Sequence, residues 1–488
     1  MTVAAGRRAK AGRRARGRKR QGTLILVSNR LPASLEAGPD GPIVKPSAGG
    51  LVTALRPVLK ARNGFWIGWA GKGSESEIEK LVREAGAELG CQMIPVSLNA
   101  AERQGFYAGF SNEIVWPLFH DLQSRCNFDP TYWKAYVTVN RKFAEAVADV
   151  TKPDSMVWVH DYHLMLCGEF LRQQGLPSRM GFFLHIPFPP LDIFEKLPWR
   201  SQILRALFQY DVVGFQTPRD LRNFLGCVRR LLPDLDFHRT DEDVQATVGG
   251  HQTVLKSFPI GIDFDEFCGQ AQRSEVVARA EQIRKDMRGV QIVLGVDRLD
   301  YTKGVPERLR AVRHLLESRR GMRQKISLVQ IVVPSREDIP MYRELKLEIE
   351  TLVSQINGQF GDPGWTPVHY MHRSVDRTEL LALYRAADIA LITPLKDGMN
   401  LVAKEFCAAQ TGAPGVLVLS EFAGAAEQLQ NGAILVNPYD FGSVAEAVNE
   451  AFHMPLAERA KRMRKLRRKL QYADVFRWCE EFWEFLEG

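Results

Sequence analysis

The sequence has no apolar run approaching the ~20 residues that a membrane-crossing helix needs, so no membrane partner is expected. Cysteine is sparse: seven residues in 488, Cys91, Cys126, Cys167, Cys227, Cys268, Cys407 and Cys479, with no CxxC pair among them. An odd, dispersed set fits a reducing, cytoplasmic compartment in which the thiols pack as small apolar groups. Acid is absent from residues 1–21, which carry nine of the 65 lysines and arginines. Those nine cations exceed the net charge of +8, so the remainder is left at −1. The basic character therefore says nothing of a groove for nucleic acid in the body of the chain, and no nucleic-acid partner is expected. This tail lacks the apolar core of a secretory signal and the apolar face of an organelle transit peptide, and reads as disordered.

What is present is a long chain, 45% hydrophobic and 25% charged, enough for two substantial domains. Short apolar runs alternate with helical patterns throughout. In the first half the predicted strands are 24–27, 65–69, 156–159, 181–186 and 210–216. Helices are expected over 74–88 and 132–148, and one through Lys60 that Pro57 should kink. A Pro- and Gly-bearing linker is expected over 254–264. Beyond it the alternation restarts, with strands at 292–296, 328–333, 368–371, 389–392 and 416–420, a helix over 305–318, and a helical end over 457–487. The pattern predicts an α/β protein with two doubly wound, Rossmann-like domains, 22–262 and 263–456, facing across a cleft. The segment from about 457 to 488 is expected to pack back on the first.

Each predicted strand ends in polar residues, where open α/β sheets bind ligands. The stretch 393–406, TPLKDGMNLVAKEF, turns at Pro394, Asp397 and Gly398 and then becomes helical, which aims unpaired N–H groups at an anion. Asp397 and Glu405 would repel a phosphate, so they suit sugar hydroxyls; together the stretch suits a nucleotide sugar. Arg30 ends the first strand, and alone it reads equally as a surface-loop residue. Gly49 and Gly50 permit close backbone approach, or form a plain turn. The aromatics of 106–117 serve either a core or a sugar face. His160, Asp161 and His163 suggest a metal, but the two histidines flank a strand-to-helix switch with no third ligand nearby, and Asp161 is better placed to orient a hydroxyl. His185, ending a strand before a proline-stiffened loop, is placed to meet a substrate, and alone it reads equally as a core histidine with one nitrogen satisfied. Four cations gather in such positions. Arg298 and Lys303 are available to a diphosphate, and Arg30 and Arg336 to a second phosphate.

Eight segments in order, VSNRLP (27–32), SAGGL (47–51), FYAGFSN with VWP (106–117), WVHDYHL (158–164), FFLHIPFP (182–189), VDRLDYTKG (296–304), SRED (335–338) and TPLKDGMNLVAKEF, resemble the bacterial trehalose-6-phosphate synthases. The resemblance implies the GT-B fold and transfer of glucose from a nucleotide-glucose, with UDP-glucose the expected donor, to glucose 6-phosphate with retention at the anomeric carbon. It implies that Arg30, Tyr107, Asp161 and Arg336 hold glucose 6-phosphate, with Trp116 beside the acceptor sugar. Gly49 and Gly50 become donor-loop contacts, Arg298 and Lys303 the diphosphate clamp, and His185 the residue beneath the donor's anomeric carbon. Asp397 would hold donor hydroxyls with backbone help from Gly398, Met399 and Asn400. Leu401, Val402, Ala403, Lys404 and Glu405 would line the nucleotide, Glu405 at the ribose, and Val375 lies where the base meets backbone. His185, Asp161, Arg298 and Lys303 are thus the catalytic candidates.

No carboxylate nucleophile matches the family pattern, which implies reaction on one face of the sugar with the leaving phosphate taking the acceptor's proton. Asp234-Leu235-Asp236 resembles a metal-binding DxD but reads as a loop, and neither a metal nor another cofactor is implied. No DxDGT phosphatase stretch appears, so a separate trehalose-6-phosphate phosphatase is expected to act on the product; a homo-oligomer, dimer or tetramer, is also expected. Three alternatives stand beside this: a glucosylglycerol-phosphate synthase, a related pseudo-glycosyltransferase, and a non-catalytic sugar-phosphate-sensing subunit. Because the base is met by backbone, UDP-, GDP- and ADP-glucose all remain open.

Overall fold

A computed structural model describes residues 22–488 apart from 39–40, 47–51, 53–54, 56–58, 60–63, 72, 241–242, 249, 337–338 and 413. The basic tail, the Gly49–Gly50 loop and most of the helix expected around Pro57 lie outside the described residues.

Two separate sheets carry the fold. The first uses β1 (Leu24–Arg30), β4 (Phe65–Trp69), β5 (Gln92–Pro95), β6 (Met156–His160), β7 (Arg179–Phe183), β8 (Val212–Phe215), β9 (Asp236–Arg239), β10 (Val244–Val248) and β11 (His251–Ser257), while β2 (Ala33–Gly38) and β3 (Gly41–Pro46) form a hairpin apart. Its order is β5-β4-β1-β6-β7-β8-β11-β10-β9. β1 is buried at every position except Arg30, as a strand covered on both faces must be. The second sheet uses β12 (Gln291–Arg298), β13 (Ile326–Val333), β14 (Val368–Met371), β15 (Ile389–Ile392), β16 (Val416–Ser420) and β17 (Ile434–Val436). All its pairings are parallel, in the order β14-β13-β12-β15-β16-β17.

Both sheets run outward in opposite directions from a central strand pair, β1 and β6 in one, β12 and β15 in the other. At such a reversal the following loops part and leave a crevice at the carboxyl ends of the strands. Arg30 and Asp161 stand at the first crevice, Arg298 and the 393–400 turn at the second.

The helical end is two helices, Leu456–Tyr472 and Val475–Glu487, with Asp474 capping the second through the Arg477 N–H. The second lies on the first sheet: Trp478 Nε1 donates to the Phe258 carbonyl at 3.1 Å, and Phe482 stacks on Trp158 with centroids 4.3 Å apart.

Local readings shift in four places. β7 stops at Phe183, so His185 stands in the loop beyond it. β11 takes residues 254–257 from the expected linker and extends the sheet through the antiparallel β10 and β9. Asp236 opens β9, so the DLD segment is only partly a loop. Arg103–Val115 is π-helical, closed by the Trp116 N–H on the Ser111 carbonyl; such widened turns displace side chains from the ordinary helical stripe, often at functional sites.

Candidate active site

Two guanidiniums from different sheets converge on one phenol. Arg30, at the end of β1, lies 4.4 Å from the Trp69 ring centroid and 5.5 Å from that of Tyr107. Arg336 follows β13 with φ +52° and lies half-buried over the Trp116 ring at 4.6 Å. Its Nη1 donates to the Tyr342 hydroxyl at 2.6 Å and lies 3.5 Å from Asp300 Oδ2; its Nη2 reaches the Tyr162 hydroxyl at 3.5 Å. Burial pushes the Tyr107 phenol up, but Arg336 and Arg30 outweigh it and hold the group below its ordinary value. Two cations and an acidic phenol in one recess suit a phosphate dianion.

Between the sheets stands Asp161, with φ +76°. Such a backbone is strained for a non-glycine residue and persists where the surroundings enforce it; here the His185 N–H donates to Asp161 Oδ1 at 3.2 Å. Burial raises the carboxyl to about 6, against the Tyr162 and His185 N–H groups and the charges of Arg298 and Arg336. His185 Nε2 lies 3.2 Å from His160 Nδ1. Burial lowers His185 to about 3 and His160 well below its ordinary value, so the pair is two neutral rings sharing one proton. His163 turns elsewhere, stacked on Tyr107 at 6.0 Å. The His-Asp-x-His cluster therefore diverges, and among the described residues no group of three or more His, Cys, Asp or Glu is placed to hold a metal. Asp234 sits in an exposed pair with Arg205.

On the second sheet Arg298 ends β12, and Lys303 closes the turn Tyr301–Lys303. Lys303 Nζ meets Asp397 Oδ2 at 2.6 Å, and Asn400 Nδ2 donates to the same oxygen at 3.1 Å. Burial pushes the Asp397 carboxyl up, but Lys303 wins and holds it low. Asn400, φ +77°, caps the helix Leu401–Ala409 by accepting the Ala403 N–H at 3.0 Å. Gly398 presses on the other domain: a Cβ there would stand 2.2 Å from the His185 carbonyl oxygen, so only glycine permits this approach. Glu405 accepts the Tyr384 hydroxyl at 2.9 Å, and burial raises its carboxyl.

Three of the donor-side positions between 398 and 405 offer backbone rather than side chain. Met399, Ala403 and Lys404 are buried, and Lys404 Nζ donates to the Ile260 carbonyl and Gln428 Oε1, both at 2.6 Å. Their side chains cannot line a ligand; backbone there can. Leu401, Val402 and Val375 are half-buried.

Sequence reasoning missed Asp300, Tyr162 and Tyr342. Asp300 is buried, accepting from the Thr302 N–H at 3.0 Å and from Trp116 Nε1 at 3.4 Å. It lies inside the 296–304 motif, yet nothing in a linear motif shows that an acid faces an arginine 36 residues away.

Two Rossmann-like sheets opposed across a cleft, with cations of both at the carboxyl ends, define a glycosyltransferase of the GT-B fold. The chain belongs to glycosyltransferase family 20, whose pattern matches residues 22–488. It is 45% identical over 470 residues to the trehalose-6-phosphate synthase of Mycolicibacterium smegmatis, covering 95% of this chain and 92% of that one. It also resembles the solved E. coli protein bound with UDP-2-fluoro glucose, with a TM-score of 0.86, 36% identity, and coverage of 96% of this chain and 99% of that one. The α,α-trehalose-phosphate synthase (UDP-forming) of Burkholderia xenovorans, solved with glucose-6-phosphate, matches with a TM-score of 0.84, 35% identity, and coverage of 95% and 100%.

Proposed function

We propose that this chain is an α,α-trehalose-6-phosphate synthase, transferring glucose from UDP-glucose to glucose 6-phosphate with retention. The observation that carries this is the split recess: Arg30 and Tyr107 from the first domain and Arg336 from the second face one another beside Asp161. The E. coli and Burkholderia structures hold a UDP-sugar analogue and glucose-6-phosphate respectively, which supports the same pair of substrates here.

The chemistry follows from what each group is free to do. Arg30, Tyr107 and Arg336 bind the acceptor phosphate, and Asp161 accepts from an acceptor hydroxyl. Arg298 and Lys303 neutralise the diphosphate as it leaves, and Asp397 holds donor hydroxyls. Asp300 and Asp397 are each tied to a cation, so neither is a free nucleophile. Bond formation and departure then occur on one face, with the leaving phosphate oxygen accepting the proton of the attacking hydroxyl. The protein contributes position and charge. The His160–His185 pair is too weakly basic to be charged at neutral pH and supports the donor sugar as neutral rings. A cytoplasmic setting, a homo-oligomeric assembly and a separate phosphatase for the product complete the proposal.

The test supplies purified protein with glucose 6-phosphate and a panel of nucleotide-glucose donors, with chelator present. Product is identified by mass and anomeric proton couplings. Trehalose 6-phosphate with α,α couplings, fastest from UDP-glucose, is the expected result. Nucleotide release without that product, or turnover only with another acceptor, would overturn the acceptor assignment.

A further inference from the structure

Ile260 lies in the crossing between the two sheets and is held from both sides. Its N–H donates to Gln216 Oε1 at 3.1 Å, just past β8; its carbonyl accepts Lys404 Nζ at 2.6 Å, from the helix that follows β15. The next residue, Gly261, touches the return crossing. A Cβ there would stand 2.3 Å from the Asp474 carbonyl carbon and 2.5 Å from the Ala473 oxygen, and the Ile262 carbonyl accepts the Val475 N–H at 3.1 Å. Both connections between the sheets thus meet at one point, and Lys404 fastens that point to the donor-side helix.

Lys404 is an expensive residue to place there. It is fully buried, and its two acceptors, a backbone carbonyl and the Gln428 amide, are both neutral. Burial lowers its ammonium to about 7. A buried cation without a carboxylate opposes folding, and an apolar side chain of similar length is often as stable or more so. Fastening the crossing is the task that only the ammonium performs at this position.

We infer that Lys404, although carried on the donor helix, is a positioning residue for the acceptor: it fixes the register of the two domains and so assembles the split phosphate recess. This rests on the proposed acceptor site. The donor groups at 397–405, which hold the nucleotide, all belong to the second domain and move together, although the His160–His185 pair beneath the donor sugar stands on the first. The acceptor recess joins Arg30 and Tyr107 of the first domain to Arg336 of the second, and it comes apart if the crossing loosens.

The test compares wild type with Lys404→Met and Gly261→Ala. Measured are the KM for glucose 6-phosphate, the Kd of UDP-glucose by calorimetry, kcat, and hydrogen exchange of the 258–263 amides. Lys404→Met is expected to raise the glucose 6-phosphate KM about tenfold or more and to lower kcat, because small misplacements of reacting groups are costly. The UDP-glucose Kd should stay within about threefold, and the crossing amides should exchange at least about tenfold faster. A raised UDP-glucose Kd with an unchanged acceptor KM would show local support of the donor helix only and overturn the inference. So would wild-type kinetics and exchange. If Lys404→Met does not fold, Gly261→Ala, which wedges the two crossings apart at Asp474 and keeps the ammonium, must show the same acceptor-side loss, and a wild-type acceptor KM there sinks the idea. Were wild type inactive with glucose 6-phosphate, the proposed function would fail first, while crossing-amide exchange would still report on the latch.

Discussion

Lys303 Nζ lies 2.6 Å from Asp397 Oδ2, so the cation assigned to the diphosphate and the carboxylate assigned to sugar hydroxyls hold each other. The pair holds two half-buried charges together, and Asn400 Nδ2 donates to the same carboxylate oxygen. Lys303→Ala or Arg298→Ala is expected to lower kcat/KM by about 3–4 kcal/mol, the size of a lost electrostatic donor in an enclosed site. A near-wild-type kcat/KM in either variant would remove that residue from the diphosphate role.

Tyr107→Phe keeps the ring but removes the hydroxyl that Arg30 and Arg336 face. Its cost should appear as a rise in acceptor KM equivalent to about 1.5–3 kcal/mol, the size of a hydrogen bond to a charged group. Arg336→Ala should cost more, because it also strands Asp300. In both variants the donor KM should move far less; equal effects on donor and acceptor would break the assignment.

Asp161 sets a pH limb. Its carboxyl, raised by burial to about 6, accepts from a hydroxyl most strongly when ionised, so kcat/KM for glucose 6-phosphate should fall as pH drops through about 6. Asp161→Asn should be weakly active and lack that limb. Stability runs the other way. A carboxyl whose folded pKa is raised binds its proton more tightly in the folded state, so its contribution is present at low pH and is lost as pH rises from its ordinary pKa of 3.8 to about 6. Denaturant titrations across that window should show wild type losing stability with rising pH relative to Asp161→Asn.

Gly398→Ala inserts a methyl where the His185 carbonyl oxygen stands 2.2 Å away. The two domains must part locally, and activity should fall on the order of a hundredfold while the circular dichroism spectrum is unchanged. Retained activity would mean that this contact does not set the catalytic geometry.

The fold was largely legible because buried parallel strands write themselves as apolar runs. β1, β12 and β15 are such runs, and their polar ends announced Arg30, Arg298 and Asp397. The illegible parts have local causes. β9 is largely exposed at the antiparallel edge, so no apolar run marks it. The π-helical Arg103–Val115 has neither the 3.6 nor the 2 period that such reading relies on. That the Lys404 side chain turns to Ile260 was illegible because a motif records that a residue is present but not where its side chain points.

By itself the sequence determined the two doubly wound domains and the residue types at each strand end. These follow from patterns a few residues long, governed by burial and turn chemistry. Only the tertiary structure decided which ends meet. That Arg30 and Arg336 share Tyr107, that Lys303 holds Asp397, and that Lys404 ties down Ile260 depend on side chains 77 to 306 residues apart. Local periodicity carries no information over such distances, because those contacts are fixed by how two sheets pack and where the chain crosses between them.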